Sequence, residues 1–306
     1  MHAWNQPILD SLAQRVDRLP HALLIHGPRG VGKLALAERI SQFLLCESTG
    51  KKPCDSCAAC RWFLAGNHPD LRRLEPESLA PPAEEAEAPA RRAKQPSIEI
   101  KVDQVRELGD FLYVGSHRGR LRIALAHPAE VMNENAANAL LKGLEEPPAG
   151  AVFILVSHRP AQLLPTIRSR CVAIPVPIPP RDAALAWLSA QGVKNPERWL
   201  AYAGGAPLRA LEYAGQAEIR LIPVDEREAL EPLAEALQKL ALDRALLAFG
   251  LPAKYRTTTA TVSPEKARQW LAFARQMGQD RLLSRHPLNP RLFSAAMLAA
   301  MPSDAG

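Results

Sequence analysis

Residues Gly27-Pro28-Arg29-Gly30-Val31-Gly32-Lys33 have the spacing G-x-x-x-x-G-K, the pattern that most restricts what this chain can fold into. Glycines let a backbone wrap closely around phosphate oxygens, and a helix that starts directly after such a loop adds the positive end of its dipole. The flanks fit. His21 to His26 (HALLIH) is an apolar run of strand length, and Leu36, Ile40, Phe43 and Leu44 recur at helical spacing after the loop. Strand, glycine loop and helix in that order predict a nucleotide-binding α/β domain. In it Gly27, Gly30 and Gly32 shape the cradle and Lys33 meets the β- and γ-phosphates.

The groups that should accompany this loop are missing. The residue after Lys33 ordinarily carries a hydroxyl that holds Mg²⁺; here it is Leu34, which offers a hard cation nothing. A second apolar strand should end in Asp-Glu. The candidate, Leu121 to Ala126, ends in His127-Pro128, which supply neither a metal-bound carboxylate nor a water-activating one. Glu130 stands three residues beyond His127, out of register. The residues predict loss of hydrolysis and leave open whether ATP or ADP lodges at Lys33.

Cysteine usage points to a second chemistry. The chain has five cysteines, and four of them (Cys46, Cys54, Cys57 and Cys60) fall within fifteen residues. Such clustering argues against a disulfide-rich secreted scaffold. C-x2-C pairs approach one ion from a tight turn, and Zn²⁺ favours four thiolates in a tetrahedron. Asp55 and Ser56 are turn formers between two of these ligands. Four protein ligands leave no open position, so a zinc ion here would be structural; free thiols or a redox pair are the alternative. Cys171 lies in a different segment.

Strands alternate with helical patterns through the first half: a helix over Val102 to Leu112, a strand over Arg120 to Ala126, a helix over Glu134 to Glu146, then strands over Ala151 to Ser157 and Val172 to Val176. This alternation predicts a parallel sheet. It is interrupted from Glu75 to Ser97, a Pro-, Ala- and charge-rich stretch with no apolar period, read as a flexible loop. The pattern stops at PVPIPP (175–180), and beyond it only helical stretches follow, at about 181–191, 196–203, 207–214, 225–250 and 264–301. A further break lies near Gly215 to Val224. The expected domains are 1–177, 178–216 and 217–306.

Charge and hydropathy narrow the rest. The balance of 38 basic and 32 acidic residues, net +6, permits contact with nucleic acid without requiring it. Aromatics, at 5%, are too scarce for base stacking to be expected as the main role. No apolar run approaches the ~18 residues of a membrane span. The start, MHAWNQPILD, lacks a charged-then-apolar leader pattern, so a cytoplasmic protein is expected.

HALLIHGPRGVGK, the four-cysteine module, AGNHPD (65–70), IEIKVDQVRELGDFL (98–112), NALLKGLEEPP (138–148) and IRSRC (167–171) occur in an order that resembles bacterial DNA polymerase III clamp-loader subunits of the AAA+ class, over about residues 20–212. The resemblance implies a RecA-like AAA+ domain, a small helical lid and an all-helical collar. It also implies a five-membered ring with ATPase (tau/gamma) and delta subunits, which opens the sliding clamp and places it on primed-template DNA. ATPase members carry the Ser/Thr and the Asp-Glu pair absent here, so this chain resembles the non-hydrolysing stator of the ring. Arg170, in Ser169-Arg170-Cys171, matches the arginine finger that reaches a neighbour's γ-phosphate, with Arg168 the neighbouring alternative. Ser157 and His158 fall where the family has a polar sensor, and Arg209 in GGAPLRAL matches a lid arginine that senses nucleotide. Lys142 falls on a helix that in the family faces DNA. Two other readings compete: a working ATPase of the same family, and a zinc-dependent DNA-binding module using Lys51, Lys52 and Arg61 beside the cysteines.

Overall fold

Five short segments hydrogen-bond into one parallel sheet in the computed structural model, which describes residues 1–79, 96–113, 121–215, 221–255, 261–284 and 286–304. They are β1 (Ala22–His26), β2 (Leu71–Leu74), β3 (Arg122–Ala126), β4 (Ala151–Ser157) and β5 (Val172–Pro175), in the order β2-β3-β4-β1-β5. β4 is buried along its whole length, which is why its sequence, AVFILVS, is a continuous apolar run and not an alternating one. In register, His26 lies beside Ser157 on one side and Pro175 on the other, so β1, β4 and β5 end together and the glycine loop leaves from that edge. Crevices at the carboxyl ends of parallel strands are where such sheets hold ligands.

Helices cover the sheet: α1 (Gln6–Ala13), α2 (Lys33–Leu45), α3 (Ala58–Leu64), α4 (Val102–Tyr113), α5 (Glu134–Glu145) and the single turn α6 (Pro165–Arg168). α4 and α5 bury Val105, Leu108, Leu112, Leu140 and Leu144 in one core with Phe153 and Leu155 of β4. Asn133 caps α5 by accepting the Ala136 N–H at 2.9 Å, and Pro147-Pro148 follows its end, where proline cannot extend helical bonding. The cysteine module lies between α2 and β2. β2 itself was not expected from sequence. Its Leu71 and Leu74 are buried while Arg72 and Arg73 are exposed, so only pairing with β3 makes it a strand.

Of the expected flexible loop 75–97, residues 80–95 lie outside the described residues. Its two flanks meet: Ser78 N–H donates to Ser97 O at 3.0 Å, and Lys101 pairs with Glu77 at 2.5 Å.

Contacts separate two compact units, Met1–Ile178 and Pro179–Gly306. The second consists of α7 (Arg181–Ala190), α8 (Pro196–Tyr202), α9 (Pro207–Gly215), α10 (Leu230–Ala248), α11 (Ala267–Leu283) and α12 (Pro290–Ala299), with no strand among its described residues. The helical stretch read over 264–301 is two helices. Pro290 opens α12 and the Asn289 side chain caps it, accepting the Leu292 N–H at 3.1 Å. One apolar cluster joins Ala184, Leu188, Leu200 and Ala210 across α7, α8 and α9. A larger one gathers Leu233, Leu237, Trp270, Phe273 and Met277 between α10 and α11, with Met297 of α12. The sequence break near Gly215 to Val224 includes residues 216–220, which lie outside the described residues.

Candidate functional site

The backbone of the glycine loop has little choice of residue. Gly27 has φ +146°, and a Cβ there would run into the Val176 carbonyl. Gly32 caps α2 with φ 86°, and its missing Cβ leaves room for His2 and Asn5. Lys33 is 2% exposed, and its ammonium donates to Gly27 O at 2.7 Å and Pro28 O at 2.5 Å. Burial pulls its pKa down to about 8, against the attraction of Glu130 and with the repulsion of Arg29. The N-terminal segment braces the loop from outside. Asn5 Nδ2 donates to Val31 O at 3.1 Å and Gly32 O at 3.3 Å, and the Trp4 indole donates to Val31 O at 3.0 Å. Leu34, the second residue of α2, has no oxygen to offer a cation.

Two histidines flank this lysine. His127 follows β3, His158 follows β4, and their rings meet edge to face at 5.3 Å. Burial, then the charge of Lys33, lowers His127 to about 4 and His158 to about 3, so both imidazoles are neutral near pH 7. Glu130 reaches the same edge despite its sequence register: its carboxylate accepts the His158 N–H at 3.0 and 3.2 Å and faces Lys33 electrostatically. The loop therefore adjoins one lysine, two neutral rings and one carboxylate already hydrogen-bonded to backbone.

The four clustered cysteines converge. Cys46 caps the C-terminus of α2, Cys54 lies in the following turn, Cys57 caps the N-terminus of α3 and Cys60 lies within it. Their sulfurs all lie within 4.8 Å of one another, with Cys46–Cys57 and Cys54–Cys60 at 4.0 Å. Tetrahedral thiolates about 2.3 Å from zinc would be about 3.8 Å apart, so the donor set fits that ion. Backbone N–H groups of Cys54, Cys57 and Cys60 donate to the sulfurs of Cys46, Cys54 and Cys57 at 3.3 to 3.4 Å, bonds that favour the thiolate form a metal needs. Asp55, in left-handed backbone (φ 58°), anchors the turn to α2 through Arg39 at 2.6 Å and Gln42 at 2.9 Å. Cys171 stands apart at the start of β5, packed against the sheet core.

Arg170 projects from the turn between α6 and β5. Ile167 below it is buried and Arg168 is exposed. The Arg170 guanidinium donates to Thr166 O at 2.9 Å and pairs with Glu145, the last residue of α5, at 2.5 Å; the two side chains are 34% and 49% exposed. Arg209, in the second unit, is enclosed. It pairs with Glu235 at 2.7 Å, and Glu235 also meets Lys239 at 2.9 Å, Arg281 at 3.3 Å and the Tyr213 hydroxyl at 2.6 Å. Three cations hold Glu235 down at about 2 in spite of burial, and burial lowers Lys239 to about 8. Lys142 is exposed on α5.

Residues 6–179, more than half of the chain, match a family model described as DNA polymerase III, delta subunit. DNA polymerase III subunit delta' of Pseudomonas aeruginosa is 40% identical over 256 residues, 79% of this chain and 73% of that protein. The chain belongs to the DNA polymerase III delta-prime family. The delta-prime subunit of Yersinia pestis is 36% identical across 81% of this chain and 68% of its own length. That of Escherichia coli is 33% identical across 77% and 65%. The glycine loop, the four cysteines and Arg170 fall inside residues 6–179 matched by the family model, and Arg209 falls outside that range. No helix among the described residues is long and apolar enough to cross a membrane.

Several partners were not anticipated from sequence: Asn5 and Trp4 on the loop, Glu130 beside Lys33, Glu145 on Arg170, and Glu235 on Arg209. Only Glu235 left a trace, its i,i+4 spacing to Lys239 on one helix.

Proposed function

We propose that this chain is the non-hydrolysing (stator) subunit of a bacterial clamp loader. It would sit in a five-membered ring with ATPase (tau/gamma) and delta subunits and help place the sliding clamp on primed-template DNA. The observation that carries the reading is a contrast within the first unit. Its own loop, a degenerate P-loop, places Leu34 where a magnesium-binding hydroxyl is needed and a neutral His127 where a carboxylate is needed. Arg170 stands partly exposed on a separate turn. An arginine supplied in trans to a neighbour's γ-phosphate stabilises charge on the transferring phosphoryl group without any hydrolytic machinery of its own. In this reading 1–177 is the AAA+ domain, 178–216 the lid and 217–306 the collar. Zinc at Cys46, Cys54, Cys57 and Cys60 is structural, the protein is cytoplasmic, and Gly27, Gly30, Gly32 and Lys33 keep the loop's shape more than its nucleotide.

Two assays test it. Purified chain should show no Mg²⁺-dependent ATP turnover that Lys33→Ala abolishes; such turnover would support the competing reading as a working ATPase. In the loader reconstituted with cognate subunits, Arg170→Ala should leave assembly intact by native mass spectrometry and lower turnover by roughly 10³-fold or more at the affected interface. Unchanged turnover would overturn the finger assignment.

A further inference from the structure

Arg170 is not a free side chain. Both terminal nitrogens of its guanidinium are engaged within the same unit: one donates to Thr166 O at 2.9 Å, and the other pairs with Glu145 at 2.5 Å. The two anchors differ in kind. Thr166 belongs to the same turn as Arg170, so that bond travels with the arginine. Glu145 belongs to α5, whose inward face (Ala136, Leu140, Leu144) is fixed in the sheet core. The Glu145–Arg170 pair therefore ties a partly exposed cation, carried on a turn anchored by buried Ile167, to the end of α5. With its two terminal nitrogens taken by Glu145 and Thr166 O, the end-on face of the guanidinium is occupied, and a phosphate would compete with the carboxylate for that face.

We infer that Glu145 is a positioning residue for Arg170, a carboxylate that parks the arginine against α5 and must release it before it can engage a neighbour's phosphate. This rests on the finger reading of Arg170. The pair is suited to a reversible latch because both side chains are at least a third exposed, and ion pairs in that setting are weak. A buried pair such as Arg209–Glu235 would not open on the same terms. Proline at 147 and 148 keeps the helix from extending past Glu145, so the carboxylate stays at the helix end where Arg170 passes.

The test uses the full complex reconstituted with its ATPase and delta subunits, assayed for ATP turnover without clamp or DNA. Glu145→Gln removes the charge and keeps the shape. It should raise kcat about two- to fivefold, the range an exposed ion pair allows, with KM for ATP unchanged and subunit stoichiometry the same by native mass spectrometry. Glu145→Asp keeps the charge and should return turnover toward that of the unmodified chain. In an Arg170→Ala background the gain from Glu145→Gln should vanish, which a general loosening of α5 would not produce. If Glu145→Gln lowers turnover or leaves it unchanged while Arg170→Ala still lowers it, the latch is wrong and the finger stands. If the gain persists in the Arg170→Ala background, Glu145 acts elsewhere. If Arg170→Ala changes nothing, the finger reading fails and the latch with it.

Discussion

The guanidinium of Arg209 on α9 donates to Glu235 on α10 across 2.7 Å, inside a cluster that also holds Lys239, Arg281 and Tyr213. One carboxylate faces three cations, so the members are not equivalent. Without Glu235 the three cations would be left facing one another out of water. Without Arg209 the carboxylate would keep two cations and the Tyr213 hydroxyl. Glu235→Gln is expected to cost about 3–5 kcal/mol and Arg209→Ala about 1–2 kcal/mol, read as shifts in urea midpoint. Equal effects would mean that the cluster does not act as a unit. An arginine held this way is also costly to redirect to a nucleotide, so a sensing role for Arg209 requires Lys239 and Arg281 to carry Glu235 in its absence.

Glycine at 27 and glycine at 66 separate two kinds of constraint. Both have positive φ, but a Cβ on Gly27 would collide with the Val176 carbonyl while one on Gly66 would meet nothing within 4 Å. Gly66→Ala should cost only the left-handed backbone penalty, about 1–2 kcal/mol. Gly27→Ala adds a collision with backbone on a neighbouring strand end and should cost clearly more. A midpoint shift for Gly27→Ala no larger than that for Gly66→Ala would show that the β1 and β5 ends can part at little cost.

Much of this architecture is legible in the chain because its signals are local. AVFILVS reads as a buried strand, and the glycine loop reads as a strand-to-helix turn, since steric and hydrophobic demands act on those residues alone. The four cysteines converge because their spacing is short. What sequence does not carry is pairing across distance. LRRL at β2 holds two leucines and two arginines and becomes a strand only beside β3. Buried Arg122 is read as part of a strand, but its partners Asp70 at 3.7 Å and the Phe111 ring at 4.7 Å are brought by other elements. Glu130 looks out of register because the turn after β3 bends it back toward Lys33, a path no spacing rule records.

The paired histidines predict an acid-sensitive first unit. His127 and His158 titrate at about 4 and about 3 in the folded chain, below the ordinary 6.5. Between pH 6.5 and about 4 the unfolded chain binds more protons than the folded one, so stability falls as pH is lowered through that window and is fully present above it. The combined variant His127→Gln/His158→Gln should flatten the thermal midpoint across pH 6.5 to 4 relative to the unmodified chain. An unchanged slope would place the acid sensitivity in other groups.

Metal removal gives the most direct test of the cysteine cluster. Four sulfurs within 4.8 Å fill one tetrahedral site, so the folded chain should carry about one zinc ion, measured by elemental analysis. Burial pushes the Cys60 thiol up to about 12, so without a cation this sulfur keeps its proton, whereas a bound divalent ion holds it as thiolate. Binding should therefore release protons and weaken as pH falls. Cys54→Ser or Cys57→Ser should lose the metal and lower the melting temperature of the first unit. Asp55→Asn keeps a residue suited to the left-handed turn, removes only the charge facing Arg39, and should cost about 0.2–1 kcal/mol with the metal retained. Because Cys46 ends α2, the helix that begins at Lys33, chelation should destabilise the glycine loop as well, seen as faster amide exchange at Val31 and Gly32. A folded chain that holds no zinc, and whose melting is indifferent to a strong chelator, would leave these cysteines as free thiols.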